Sequence, residues 1–171
     1  MDISNKLKNI KSKASEVSKH KEDIKVPTIK PMNINSLWVF HYDGSGCDSC
    51  NAEYLSCLGP AWDIERLGIR NTGNPAYADV LLVTGLIDQS NKIELLDIYN
   101  QTREGCKVIA LGACACTGGM FSGCGDVLEG VDHIIPVDLY VAGCATRPQG
   151  IIDALLMIKD SMKQGGECDE Q

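Results

Sequence analysis

The chain contains no run of about 18 apolar residues, so no segment has the make-up of a membrane-spanning helix. No apolar stretch follows its first charged residues, and no secretory leader is expected. None of its glycine-rich stretches is followed by Gly-Lys-Ser/Thr, which excludes a phosphate-binding P-loop, and the glycine pattern of a dinucleotide fold is missing too. The three histidines, His20, His41 and His133, have no ligand-like spacing to one another. Positive charge is also in deficit. The net charge of −7 argues against wholesale binding to nucleic acid or acidic lipid.

What is present is a globular composition, 44% hydrophobic and 23% charged, over 171 residues. That length suits one domain with a real core. Nine cysteines are many for such a chain. Without an export signal, metal or redox chemistry is a better reading of them than a disulfide framework.

Charge divides the chain. Residues 1–30 hold eight Lys and four Asp/Glu, a net of +4, and the remainder carries −11. The first stretch has too little apolar surface to fold alone. Ile3, Leu7, Ile10, Ala14 and Val17 nevertheless recur at helical spacing before Pro27 and Pro31. We read residues 1–31 as a basic arm, either a solvated tail or a helix lying on a partner subunit or on anionic lipid head groups, with docking preferred. Residues 32–165 form the domain and residues 166–171 a polar tail.

Within the domain, short apolar runs at 37–41, 80–84, 107–111 and 139–142 read as strands covered on both faces. Helical stretches are expected at about 51–58, 91–103 and 148–162. The last has Pro148 in its first turn and Gly165-Gly166 past its end, with Ile151, Ile152, Leu155, Leu156 and Ile158 on one face. The alternation predicts an open parallel α/β sheet with right-handed crossovers.

The cysteines sort by strand. Cys47 and Cys50, in Gly46-Cys-Asp-Ser-Cys50, follow the first strand. Cys114 follows the third, in Gly112-Ala-Cys-Ala-Cys-Thr-Gly-Gly119, and Cys144 the fourth, in Gly143-Cys-Ala-Thr-Arg-Pro148. Parallel strands end at one edge, where open α/β folds bind ligands. Three loops would thus deliver four thiols to one place. Their glycines allow tight turns and expose N–H groups that can tune a sulfur cluster.

Four thiolates suit Zn²⁺ or a [4Fe–4S] cluster. With one C-x₂-C pair and two single, distant cysteines, the spread fits a large cluster better than a zinc knuckle. A thioredoxin-like dithiol at Cys47 and Cys50 is a third option, which leaves Cys114 and Cys144 unaccounted for. Cys57 and Cys106 read as small buried hydrophobes and Cys168 as incidental. Cys116, two residues from Cys114, is an alternative ligand to it, and Cys124 lies in its own Gly-rich loop.

The stretches Gly46-Cys-Asp-Ser-Cys-Asn-Ala-Glu53 and Cys57-Leu-Gly-Pro-Ala-Trp-Asp-Ile-Glu-Arg-Leu-Gly-Ile69 resemble the small subunit of energy-converting, membrane-bound [NiFe]-hydrogenases. Ala78-Asp-Val-Leu-Leu-Val-Thr-Gly85, Ala110-Leu-Gly-Ala-Cys-Ala115 and Val141-Ala-Gly-Cys144 with Arg147-Pro148 continue the likeness in order. The same family includes the 20 kDa cluster-bearing subunit of complex I. That relative has adjacent cysteines where Asp48 and Ser49 intervene here, as they do in the hydrogenase branch. One departure is Ala145-Thr146 and Gln149, where the family carries two prolines and an acid; it is expected to loosen the last loop.

The resemblance implies a flavodoxin-like domain with one [4Fe–4S] cluster, nearest the nickel–iron site, held by Cys47, Cys50, Cys114 and Cys144. It implies as partners a [NiFe] large subunit, a ferredoxin-like iron–sulfur subunit with ferredoxin as indirect donor, and membrane ion-translocating subunits. The chain would lie on the cytoplasmic side of the membrane and pass electrons for H₂ evolution or oxidation. The alternative is the same role in a quinone, sulfur or other non-hydrogenase reductase.

Other residues carry smaller expectations. Glu53 reads first as compensation of the helix dipole in the first turn, and second as a carboxylate by the crevice. Arg147 would screen cluster charge or bond a loop carbonyl. Asp63, Glu65 and Arg66 read as a solvated face, His41 as a satisfied core histidine, and Trp38 and Trp62 as packing or interface residues.

Overall fold

The computed structural model describes residues 36–165. The basic arm, the polar tail and Cys168 lie outside the described residues. Five strands form one sheet: β1 (Leu37–Asp43), β2 (Ile69–Asn71), β3 (Val80–Thr84), β4 (Lys107–Leu111) and β5 (Leu139–Val141). Every pairing is parallel, and the order is β2-β1-β3-β4-β5. This is the flavodoxin-like winding, whose switch point lies between β1 and β3.

The apolar runs form strands for the expected reason. All five residues of β3 and four of five in β4 are buried, as in strands covered on both faces. Side chains alternate between two cores. On one face, Val39, Val80, Leu82, Ile109 and Leu111 pack under Tyr54 and Cys57 of α1 (Ser49–Leu58) and under Ile151, Leu155 and Ile158 of α4 (Pro148–Gly165). On the other, Tyr42, Leu81, Val83, Val108 and Ala110 meet Leu95 of α2 (Lys92–Gln101) and Ala115 of α3 (Gly112–Thr117).

Two elements lie outside the sequence expectation. β2 has one buried residue, Ile69, beside exposed Arg70 and Asn71, so no apolar run marks it. It is held by its pairing to Leu37–Val39. The segment after β4, where the sequence predicts a loop, is the short helix α3, so Cys114 and Cys116 stand on a helix. In α4 the apolar stripe is seated as expected, and the helix continues to Gly165.

An ion pair secures the opposite edge. Arg103 pairs with buried Asp79, whose other oxygen accepts the Trp38 N–H at 2.8 Å. The pair ties the segment entering β4 to the start of β3.

Candidate functional site

β1, β4 and β5 end at the same edge of the sheet, so the segments that leave them meet there. The Ala113 N–H donates to the Gly143 carbonyl at 2.8 Å, which clamps the turn before Cys114 to the turn before Cys144. Cys50, in the first turn of α1, reaches the first of these turns. Its Sγ lies 2.5 Å from the point where a Cβ on Gly112 would stand, and the Gly143 oxygen lies 3.5 Å from that point. Gly112 has φ +88°, so a side chain is excluded there by backbone conformation and by Cys50. Gly119 serves Cys114 in the same way, with Sγ 3.3 Å from its missing Cβ.

Three of the thiols act on the fourth, Cys114. Burial raises the Cys114 thiol, and the charges of Cys144, Cys47 and Cys50 raise it further. Cys47 is exposed, and its Sγ is 3.4 Å from Ser49 Oγ. The hydrogen bonds from Ser49 hold it below the ordinary 9.0. Four thiolates so placed repel one another, and a cationic core relieves that repulsion.

Among the described residues, no three His, Cys, Asp or Glu side chains are gathered tightly enough to hold a metal ion. Four thiols on segments leaving one sheet edge are the donor chemistry of either a zinc ion or an iron–sulfur cluster, and the missing side chains of Gly112 and Gly119 leave room for the Cys50 and Cys114 thiols.

The remaining cysteines separate by environment. The half-buried Cys116 thiol approaches the Ala110 and Val141 carbonyls at 3.5 and 3.8 Å, between β4 and β5. Cys124 is exposed, and its N–H caps Phe121. Cys57 is fully buried against the Glu53 carbonyl, and burial pushes its thiol up to about 11. Cys106 is half-buried, and burial pushes it up to about 11 as well.

Glu53 lies beyond the first turn of α1, which contains no acid. Its expected compensation of the dipole there is therefore corrected, because the effect fades past the first turn. Arg147 is exposed, and its carbonyl accepts the Ile151 N–H of α4. Asp63, Glu65 and Arg66 are exposed. Trp62 packs on the first core. In the Cys144 loop, Thr146 is buried against Gly143, its Cα 2.8 Å from that residue's missing Cβ.

Thr84 and Asp43 were not singled out in the sequence. His41 Nε2 lies 2.8 Å from Thr84 Oγ1, which is 2.7 Å from Asp43 Oδ1. Polar residues closing two buried strands were the only signal.

The profile of the NADH ubiquinone oxidoreductase 20 kDa subunit family matches residues 47–158. An uncharacterized protein of Methanocaldococcus jannaschii is 44% identical over 123 residues, 72% of this chain and 82% of that one. The probable membrane-bound hydrogenase subunit mbhJ of Pyrococcus furiosus is 36% identical over 127 residues, 74% of this chain and 76% of that one. Among solved structures, a chain of the membrane-bound sulfane sulfur reductase, an archaeal respiratory membrane complex, is similar with TM-score 0.67 and 27% identity. That likeness covers 77% of this chain and 72% of the other.

Proposed function

The chain belongs to the NADH ubiquinone oxidoreductase 20 kDa subunit family, and we propose that it is the electron-transfer small subunit of an energy-converting, membrane-bound [NiFe]-hydrogenase. Membership makes it an oxidoreductase subunit that works within a larger membrane-associated complex. No helix among the described residues is long and apolar enough to cross a membrane, so the chain's attachment is peripheral in this reading. The finer partners are a [NiFe] large subunit, a ferredoxin-like iron–sulfur subunit and ion-translocating membrane subunits, with the chain on the cytoplasmic side.

In this proposal Cys47, Cys50, Cys114 and Cys144 hold one [4Fe–4S] cluster. When bound, such a cluster supplies one-electron storage at a potential set by its surroundings. The chain's own residues do the rest. Gly112 and Gly119, lacking side chains, leave room for the Cys50 and Cys114 thiols themselves. The Ala113–Gly143 hydrogen bond fixes two of the thiol-bearing turns against each other. Ser49 favours the thiolate of Cys47. Buried Leu111 and Ala115 exclude water from the sheet side. The net negative charge favours a low potential, since it opposes adding an electron.

The observation that carries this reading is the meeting of three separate segments at one sheet edge, with Cys50 crossing Gly112, Ala113 bonded to Gly143, and Cys47, Cys50 and Cys144 each near enough to act on Cys114. A second reading, a sulfur- or quinone-reducing complex without nickel, has support from the likeness to the sulfane sulfur reductase chain. Purifying the complex through a tag on this chain decides between them. Nickel in the co-purified large subunit with H₂ evolution from reduced ferredoxin supports the hydrogenase. Absence of nickel from an intact complex sinks it in favour of the second reading. The isolated chain is expected to evolve no H₂.

A further inference from the structure

Two buried polar side-chain atoms lack a hydrogen-bond partner among the described residues, and one of them, Thr146 Oγ1, stands in the turn that carries Cys144. Thr146 is only 3% exposed, so water does not reach the hydroxyl either. Folded chains rarely leave such a group unmet, and one that persists calls for a reason.

The groups around it do not supply one. A threonine just ahead of a helix ordinarily caps it through its oxygen. Here the methyl is turned to α4, with Cγ2 3.6 Å from the missing Cβ of Gly150. Oγ1 lies on the side of Gly143, 3.0 Å from that residue's missing Cβ. The carbonyls of Gly143 and Arg147 accept from the backbone N–H groups of Ala113 and Ile151 instead. The chain thus folds back so that Thr146 rests on Gly143, with Cys144 held inside the bend.

The first thiol-bearing segment shows what a hydroxyl so placed does. Cys47-Asp-Ser49 and Cys144-Ala-Thr146 share the spacing Cys-x-Ser/Thr. In the first, Cys47 Sγ and Ser49 Oγ are hydrogen-bonded at 3.4 Å. In the second, the hydroxyl is in place and the bond is not made. A thiol sulfur is a weak acceptor, and a hydroxyl rotates to suit a better one. A sulfur that binds metal has lost its proton and accepts as a charged group, which makes a much stronger bond.

We propose that the Thr146 hydroxyl donates a hydrogen bond to the Cys144 sulfur once that sulfur is a metal-bound thiolate, as the counterpart of Ser49 on Cys47, and so raises the reduction potential of the bound group. This role deepens the iron–sulfur reading above and rests on it. Thr146 acts through Cys144 and is a positioning residue. An added electron places more negative charge on the ligand sulfurs, so a donor there favours the reduced form. The hydroxyl keeps its own proton throughout, and no proton enters or leaves with the electron. The effect offsets part of the lowering that the net negative charge exerts. It belongs to this chain's own sequence, since the resembling family carries a proline, without a hydroxyl, in this turn.

The test is redox titration, followed by electron paramagnetic resonance, of the full chain loaded with iron and sulfide, for the wild type, Thr146→Val and Thr146→Ser. An iron–sulfur spectrum must be seen in the wild type first, and its absence overturns the carrier reading and this donor together. With the spectrum present, Thr146→Val keeps the shape of the side chain and loses the hydroxyl. Its ratio of reduced to oxidised centres at a fixed potential is expected to fall roughly threefold to tenfold, which is about 30–60 mV for one electron. Thr146→Ser keeps the donor and should hold the wild-type potential. An unchanged potential in Thr146→Val overturns the donor alone, as does an equal fall in Thr146→Ser, which would trace the effect to packing. Urea denaturation of the metal-free chains gives a second measurement that needs no iron uptake. The hydroxyl has no partner there, so Thr146→Val is expected to unfold at the wild-type midpoint or above it. A lower midpoint would mean that the hydroxyl is already bonded within the fold, and it overturns the donor.

Discussion

The Cys50 thiol occupies the space that a side chain on Gly112 would need, 2.5 Å from its missing Cβ. The colliding atom is the free end of a rotatable side chain, so the fold has a way to yield. Gly112→Ala should therefore cost only about 1–2 kcal/mol, mainly from its positive φ, while turning the thiol out of the site. Iron per chain after reconstitution is expected to drop severalfold with the melting transition still cooperative. Normal iron content in this variant would show that the crossing of Cys50 over Gly112 has no part in holding the group.

The parts of this architecture visible in the sequence are those where one residue type dominates a whole element. β3 and β4 read as buried strands because their side chains on both faces are apolar. That the segments bearing Cys50, Cys114 and Cys144 leave the same edge of the sheet followed from parallel strands having a common end. β2 stayed hidden because its stability comes from pairing with β1, not from its own Ile-Arg-Asn sequence. α3 stayed hidden because Gly-Ala-Cys-Ala-Cys-Thr has small residues throughout and no apolar stripe. The His41–Thr84–Asp43 chain joins residues more than forty positions apart, and no local pattern encodes such a bond.

Arg103 and Asp79 should behave as a unit. Both side chains are largely withdrawn from water, and Asp79 also accepts a backbone N–H of β1. Arg103→Met leaves the carboxylate buried without its counter-charge, which typically costs about 3–5 kcal/mol. Adding Asp79→Asn should recover much of that loss, because the amide carries no charge and its oxygen still accepts from Trp38. Urea denaturation of the two single variants and the double variant gives the coupling. Additive losses would mean that the pair does not act as one.

Alkaline pH should weaken the fold through two thiols outside the proposed ligand set. Burial holds Cys57 and Cys106 at about 11 in the native state, against an ordinary value of 9.0. Between pH 9 and 11 the unfolded chain binds fewer protons than the native one, so stability falls as pH rises. The slope is on the order of 1 kcal/mol per pH unit for each thiol. Below pH 9 both states are protonated and the effect vanishes. Cys57→Ala with Cys106→Ala should flatten the stability profile over that interval, measured as denaturant midpoint against pH.

Alkylation can separate the cysteines proposed as ligands from the rest. In the metal-free chain, a brief iodoacetamide pulse near pH 8 should modify Cys47 first, since it is exposed and Ser49 favours its thiolate. Cys114 should follow more slowly, because burial and the neighbouring thiols disfavour its ionisation. Cys57 should be the last, being fully enclosed. Loading with iron and sulfide changes the order in a way that access alone does not. Cys47 and Cys144 should become resistant although both are exposed, while Cys124, equally exposed on its glycine-rich loop, should remain reactive. Peptide mass spectrometry reads each site separately. If Cys47 and Cys124 keep the same relative rates after loading, Cys47 is not bonded to the group, and the four-thiol assignment fails with it.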